Sequence, residues 1–491
     1  MVWKLNQEFL IDEGQEYVSD TDKANLFCDH FSAQCSLPPV PPDYSYPVVS
    51  RVTFAQLNYV HFSPQIVYKV LSQLDTSKAK GPDGIAAIIL KKCAASLAAP
   101  LTVLFNKSME EGKVPDIWKI GNWCPVYKHS EANLKTNYRP IAILPCISKV
   151  VEKMIFKELY DFFDRNKLLT EHNSGFKLLD STVNQLVKII DALYKNLEEG
   201  HDICMVFLDV SKAFDKVDHH VLLIKLESLG VCGKLLDWLK SYLSNRYQRV
   251  VINGSNSEWQ QVKAGVPQGS VLGPLLFLVY VNDIVNEIEK NISLFADDTS
   301  LIEIIQNDDI ISSFDKIDRD LSRLSQWAEK WRVTFNELKS VYMILSMKKK
   351  QVRYPEVRMN NIPLKWVNEH IHLGITLNTT LTWDNHVEKI ATKAGKRVDC
   401  LKRIKSIVPR STLVTLYKSM VRPIMEYGCV LYDNLTSKLS MHLESIQRSA
   451  ALVCTGAMQR TSTQKLLDEL GWDTLQERRK FYRLSLFYKM N

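Results

Sequence analysis

No run of this 491-residue chain is apolar for long enough to cross a bilayer. The longest, Val271–Val281, contains Gly273 and Pro274, whereas a span needs about 20 apolar residues. The opening residues, MVWKLNQEFLIDEGQE, lack the basic segment and apolar core of a secretory signal. Ten cysteines stand singly, with no C-x-x-C and no Cys/His grouping at zinc-finger spacing. That argues against a disulfide framework and a structural zinc site, and predicts a reduced, intracellular protein. No fixed-period repeat is present. Hydrophobic residues make up 46% and charged residues 24%, so the chain is globular and long enough for two to four domains with sizeable cores.

A large charge excess is also missing, since the net charge is only +7. Its distribution is uneven. Residues 341–491 hold 25 Lys+Arg against 12 Asp+Glu, and the remainder holds 37 against 43. A basic C-terminal third fits a polyanion-binding module, and equally a set of solvated helix faces.

Helical spacing is expected over residues 1–35, with Leu26, Phe27 and Phe31 on one face. SLPPVPPDYSYP (36–47) then excludes a helix. Further helices are expected around 64–74 and over 86–111, on either side of the turn-forming AKGPDGI. From Trp118 the texture changes to short apolar runs such as NWCPVYK and YRPIAILP, read as strands, followed by the helix ISKVVEKMIFKELYDFFD. DICMVFL reads as a buried strand, and YQRVVINGSNSEWQQVKAG as a hairpin about Asn253-Gly254. HVLLIKLESLG, GKLLDWLKSYLSN and SSFDKIDRDLSRLSQWAEKW have helical periodicity, as does most of 380–491. His219 and His220 read as a solvated helix start, and Cys124, Cys146 and Cys204 as buried small hydrophobes.

The stretch ISLFADDTSLIE sets Asp297 and Asp298 between two apolar runs. Taken alone it is a hairpin turn. Asp209, however, also ends an apolar strand, and neighbouring strands could bring these carboxylates together. Carboxylates held that close repel, and ionise fully only with a cation between them. A pair of Mg²⁺ ions is the arrangement that in-line phosphoryl transfer uses. Phe214, five residues after Asp209, is placed to cross the front of a bound nucleotide. The glycines of AGVPQGSVLGPLLF allow backbone to approach a base and ribose. Lys128 and Arg139 offer a point charge and a bidentate fork for a triphosphate.

KGPDG, NYRPIAILP, FLDVSKAFDKVDH, GVPQGSVLGPLLF, FADD and HLGITLNTTLTWDNH follow one another in the order found in reverse transcriptases of non-LTR retrotransposons. The sequence resembles the jockey-like group of animal elements most closely, over nearly its whole length. VRPIMEYGCVLYD and LGWDTLQERRKFYRLSLFYKM are similar to the tail of that group. Phe295 stands where many reverse transcriptases have Tyr, a change common in non-LTR elements.

The resemblance implies an α+β, right-hand polymerase: a helical N-terminal extension (1–105) with the Pro-rich linker 36–47, fingers and an antiparallel palm sheet (106–377), and a helical basic thumb (378–491). It implies RNA-directed DNA synthesis with two Mg²⁺ ions, Mn²⁺ being a substitute. Asp209, Asp297 and Asp298 would be catalytic and metal-binding, assisted by the Val210 carbonyl. Phe214 would be the gate against a ribose 2′-OH, and Gln268 and Gly269 would line the nucleotide pocket. Lys128 and Arg139 would meet the triphosphate, and Lys339 the triphosphate or leaving pyrophosphate. In AGKRVDCLKRIKSIVPR, Val398, Leu401, Ile404 and Ile407 would pack while Lys396, Arg397, Lys402, Arg403 and Lys405 follow a phosphate backbone.

Expected partners are an RNA template, which includes the element's own RNA, a DNA primer and dNTPs, with no membrane, in nucleus and cytoplasm. Nothing in the sequence speaks to oligomeric state. Full-length elements usually carry an N-terminal endonuclease; none is read here, so Met1 is expected to open a fragment, a truncated copy or an incomplete gene model. The rival readings are an inactive nucleic-acid-binding remnant and a metal-dependent nuclease; the second leaves Lys128, Arg139 and Phe214 without a role.

Overall fold

DICMVFL folds as the strand Asp202–Leu208, buried at every position, as an unbroken apolar run requires of a strand covered on both faces. It belongs to a computed structural model that describes residues 5, 7–128, 130–288, 292–306, 309–348 and 352–490. The chain forms two compact units, each discontinuous in sequence: residues 1–176, 209–299 and 320–336, and residues 177–208, 300–319 and 337–491.

In the first unit the strand Ile120–Tyr127 pairs antiparallel with Tyr138–Ile143, with Val126 opposite Arg139. Its other edge runs parallel to Arg246–Ile252. That last strand turns through Asn253 and Gly254, both at left-handed φ (50° and 96°), the conformation that makes Asn-Gly the preferred tight hairpin pair. Helix Asp20–Gln34, capped by Ser19, covers this sheet. Phe27 packs edge-on against Tyr138 at 4.9 Å and Phe31 against Trp123 at 5.8 Å.

The expectation of helix throughout 1–35 needs correction. A short hairpin, Leu10–Asp12 with Gln15–Tyr17, precedes the helix, because Glu13-Gly14 at positive φ turns the chain. Likewise the helix expected over 86–111 is two, Ala87–Lys92 and Ala94–Glu111, parted at Cys93. Residues 36–47 form neither helix nor strand. Within this unit Tyr44 donates to the Lys330 carbonyl at 2.8 Å, Arg332 donates to that of Pro38, and the Tyr46 ring lies 4.1 Å from that of His220.

One buried carboxylate joins three helices of this unit. Glu152, on Cys146–Arg165, is wholly buried. It accepts from the Val271 and Leu272 amides (2.8 and 3.2 Å), Ser148 Oγ (2.9 Å) and Tyr242 Oη (3.2 Å). The two amides lie at the entrance to the buried helix Gly273–Val281, whose first N–H groups lack intrahelical acceptors.

In the second unit, Asp202–Leu208 pairs antiparallel with Val341–Leu345, Met205 opposite Met343, and Val341–Leu345 pairs parallel with Lys365–Trp366. Residues 300–305 of the strand Asp298–Ile305 lie along the other edge of Asp202–Leu208. The core continues through Val387, Ala391, Ala394, Val398 and Leu401 of helix Asp384–Ile404 into Tyr417, which stacks on Trp472 at 4.1 Å. That helix ends at Ile404, so Ile407 does not join the packed face as expected: it is 78% exposed, in the turn before Pro409. Among the described residues no helix is long and apolar enough to cross a membrane.

Replacing Glu152 with Ala leaves four buried or half-buried donors without their acceptor. The expected cost is about 3 kcal/mol, read as a lower urea midpoint at unchanged slope; a loss below about 1 kcal/mol would contradict this account.

Candidate active site

Asp209 is the first residue beyond the strand Asp202–Leu208, and it is exposed where its predecessors are buried. Its carbonyl accepts from the Asn336 amide at 2.8 Å, and the Ser211 amide donates to the Thr334 carbonyl at 2.8 Å. Between them Val210 faces Phe335 in an antiparallel bridge. In such a non-hydrogen-bonded pair the residue's own N–H and C=O point to the opposite side. The Val210 carbonyl is therefore directed away from Phe335.

Asp297 and Asp298 lie at the turn between Ile292–Phe295 and Asp298–Ile305. Ala296 turns the chain at a φ of 57°, a conformation that costs a non-glycine residue energy and persists where the surroundings enforce it. The enforcement comes from His172–Phe176, a segment that sequence reasoning did not single out. Ser174 N–H donates to Leu294 and Leu294 N–H to His172, at 3.0 and 2.9 Å. The buried Asn173 Oδ1 accepts from both Gly175 and Ala296 amides, at 2.9 and 3.3 Å. Gly175 lies so close that a Cβ there would stand 2.4 Å from the Ala296 nitrogen. Only the Asn-Ser-Gly breaker in EHNSGF hinted at such a contact.

The three carboxylates share one electrostatic neighbourhood. Asp298 keeps an exposed edge, yet its carboxyl is pushed up to about 6, first by the protein packed around it, then by the charges of Asp297 and Asp209. The Arg139 guanidinium opposes this. Carboxylate and carbonyl oxygens are the donors that hard divalent cations take; as the side chains stand, no group of three or more Asp, Glu, His or Cys among the described residues is gathered to hold one.

Lys128 and Arg139 extend from the Ile120–Tyr127 and Tyr138–Ile143 ladder, both exposed. Val126 is opposite Arg139 and Lys128 lies two residues beyond, so strand alternation puts both on one face. Both act on Asp215, as does Lys212, and together they draw its carboxyl down against the stronger upward effect of burial. Lys212 was missed, although it stands at positive φ in the SKA turn. Asp215 was missed too; it is the Asp of AFDKV, 5% exposed.

Phe214 is half-buried between two rings, stacked on Phe277 at 4.7 Å and meeting Phe176 edge-on at 5.8 Å. Gln268 is half-buried, with its carbonyl accepting from the Ala142 amide at 2.7 Å. Gly269, at φ 118°, passes so close to the Ala142 carbonyl that a Cβ would lie 2.5 Å from its oxygen. His219 is not a solvated residue as expected: its Nε2 lies 2.7 Å from the Gly265 carbonyl, and burial lowers its pKa. Cys124, Cys146 and Cys204 are buried as expected.

Asp209, Val210, Asp297, Asp298, Lys128, Arg139, Phe214, Gln268 and Gly269 thus all belong to the first unit. Lys339, Lys396, Arg397, Lys402, Arg403 and Lys405 are exposed residues of the second.

The raised Asp298 carboxyl has a definite sign. Its folded value, about 6, exceeds the ordinary 3.8, so folding favours the protonated form. The resulting destabilisation is complete above pH 6 and fades as the pH falls toward 4. Allowing for the exposed edge, it is worth about 1 kcal/mol. Asp298→Asn should raise the metal-free melting temperature by about 2 °C at pH 8, with a smaller gain at pH 4.5; equal gains at both pH values would refute the repulsion.

A family model described as reverse transcriptase (RNA-dependent DNA polymerase) matches residues 126–359, a span that includes all the expected site residues outside the helix Asp384–Ile404 and its end. The chain is similar to the probable RNA-directed DNA polymerase from transposon X-element of Drosophila melanogaster, 28% identical over 407 residues, 80% of this chain and 44% of that protein. It is similar to the RNA-directed DNA polymerase from mobile element jockey of the same species, 28% identical over 380 residues, 74% of this chain and 41% of that one. A third relative, the probable RNA-directed DNA polymerase from transposon BS, is 24% identical over 426 residues, 84% of this chain and 46% of that one. The chain spans less than half the length of these relatives. Residues 126–359, which carry Asp209, Asp297 and Asp298, thus match the reverse transcriptase family, and over most of its length the chain is similar to the RNA-directed DNA polymerases of the jockey and X-element mobile elements.

Proposed function

We propose that this chain is an RNA-directed DNA polymerase that adds dNMP to a primer 3′-OH on an RNA template, releasing pyrophosphate. The observation that carries the reading is the neighbourhood of Asp209, Asp297 and Asp298, in which burial first, and then the charges of Asp297 and Asp209, raise the Asp298 carboxyl. In this reading residues 106–377 are the fingers and palm of a right hand, 378–491 the thumb, and 1–105 an extension containing the Pro-rich segment.

The three carboxylates and the Val210 carbonyl would hold two Mg²⁺ ions, or Mn²⁺ in their place. Such ions, when bound, ease deprotonation of the primer hydroxyl and neutralise charge on the leaving pyrophosphate. The chain's own part is to bind and orient. Lys128 and Arg139 present positive charge from one face of a hairpin to the triphosphate. Phe214, wedged between Phe277 and Phe176, has little freedom to retreat from a sugar carrying a 2′-OH, and so rejects it sterically. Gln268 and Gly269 line the nucleotide site.

Primer extension on an RNA template with dNTPs and Mg²⁺ tests the reading. The parent extends, and Asp297→Ala/Asp298→Ala loses about a thousandfold or more, the scale of losing charge stabilisation at the reacting centre. A folded parent that binds template–primer without extending it is a nucleic-acid-binding remnant instead.

Helix Asp384–Ile404 buries Val398 and Leu401 and leaves Lys396, Arg397, Lys402 and Arg403 exposed, with Lys405 exposed just beyond its end. These five cations meet the phosphates of the template–primer duplex, where recognition is by shape and charge. Changing all five to Gln should weaken duplex binding and reduce the slope of log affinity against log salt by about 0.7–0.9 for each phosphate that is no longer neutralised. An unchanged slope would remove this helix from the duplex interface.

A further inference from the structure

Asp215 has no part in the proposed reaction so far, and its surroundings give it one. It is a carboxylate only 5% exposed, and burying such a group is costly unless it is bonded. The Gln268 carboxamide donates to it, from Nε2 to Oδ1 at 2.7 Å. Burial raises the pKa of Asp215, and the Gln268 bond, followed by the charges of Lys212, Lys128 and Arg139, works against that rise in favour of the ionised form. An ionised carboxylate only accepts hydrogen bonds, whereas a carboxamide has a donating and an accepting end. Asp215 therefore selects which end of Gln268 turns inward: the NH₂ faces the carboxylate, and Oε1 is the end left to face elsewhere.

The surrounding backbone is already fixed on both sides. Val266 N–H donates to the Phe214 carbonyl and Gly265 N–H to that of Val217, both at 2.8 Å, while the Gln268 carbonyl accepts from Ala142 at 2.7 Å. The Gln268 side-chain torsions are the freedom that remains, and the Asp215 bond restricts them.

We propose that Asp215 is a positioning residue, holding the Gln268 carboxamide with its oxygen presented to a donor group of the incoming nucleotide. A phosphate, which only accepts, is excluded as that partner; a hydroxyl of the sugar or an N–H of the base fits. The inference rests on the polymerase reading and on Gln268 lining its nucleotide site.

The test is primer extension by the full chain, with KM for dNTP and kcat measured for the parent, Asp215→Leu, Asp215→Asn, Gln268→Ala and the Asp215→Leu/Gln268→Ala double variant. Leu fills the volume without an acceptor, and Asn keeps an acceptor oxygen in place. Asp215→Leu should raise KM about tenfold, the scale of one lost charge-assisted hydrogen bond, with kcat changed by about twofold or less. Asp215→Asn, whose carboxamide can donate as well as accept and so no longer selects one end of Gln268, should fall between the parent and Asp215→Leu, and the double variant should be no worse than Gln268→Ala alone. Template–primer binding and the melting temperature of each variant check that it is folded.

If the effects of Asp215→Leu and Gln268→Ala multiply in the double variant, Asp215 acts independently of Gln268 and the inference fails. If the Asn variant has the parent's KM, an acceptor-only group is not needed to orient Gln268, and the inference fails again. A folded parent that binds template–primer and extends nothing defeats the polymerase reading itself, and this assignment with it.

Discussion

Backbone amides tie three distant segments of the first unit into one piece. Val266 and Gly265 donate to Phe214 and Val217, and Ala142 donates to Gln268. Each bond contributes only about 1 kcal/mol net, but their geometric effect is larger. With the three stretches of main chain held together, the side chains they carry have defined origins. Phe214 rests on Phe277, Gln268 reaches Asp215, and Arg139 acts on both Asp215 and Asp298. The close passage of Gly269 past Ala142 belongs to the same joint, since a side chain at 269 would wedge it open.

Around the carboxylates the structure concentrates what a stable protein ordinarily avoids. Like charges lie near one another, and an alanine takes a left-handed turn. Such features survive only where the neighbourhood over-determines them. Here it does so through Asn173, whose single oxygen receives two amides, and through the close approach of Gly175. The same segment ends in Phe176, which touches Phe214. One short stretch of chain thus supports both the acidic turn and the Phe214 ring.

Much of this was legible beforehand, for physical reasons that can be named. DICMVFL is unbroken and apolar and can only be a covered strand. Asn-Gly demands a tight turn, and helices such as Asp20–Gln34 and Cys146–Arg165 announce themselves by period. The carboxylate cluster was legible because its members flank apolar runs and because the motifs follow one another in a known order. What failed was local punctuation. Glu13-Gly14 set up an unexpected hairpin, Cys93 parted a helix, and the chain left its helix at Ile404, exposing Ile407.

Asp215, Asn173, Glu152 and His219 carry no signal in the sequence that separates them from ordinary polar residues. Each has a long-range partner, from 46 to 123 residues away along the chain. Sequence by itself determined the elements and the acidic residues, because periodicity, turn chemistry and adjacent charge are properties of neighbours along the chain. Only the tertiary structure decided which buried polar atom satisfies which amide. A buried group must find its partner wherever folding brings one within hydrogen-bond reach, and that distance is not written in the order of residues.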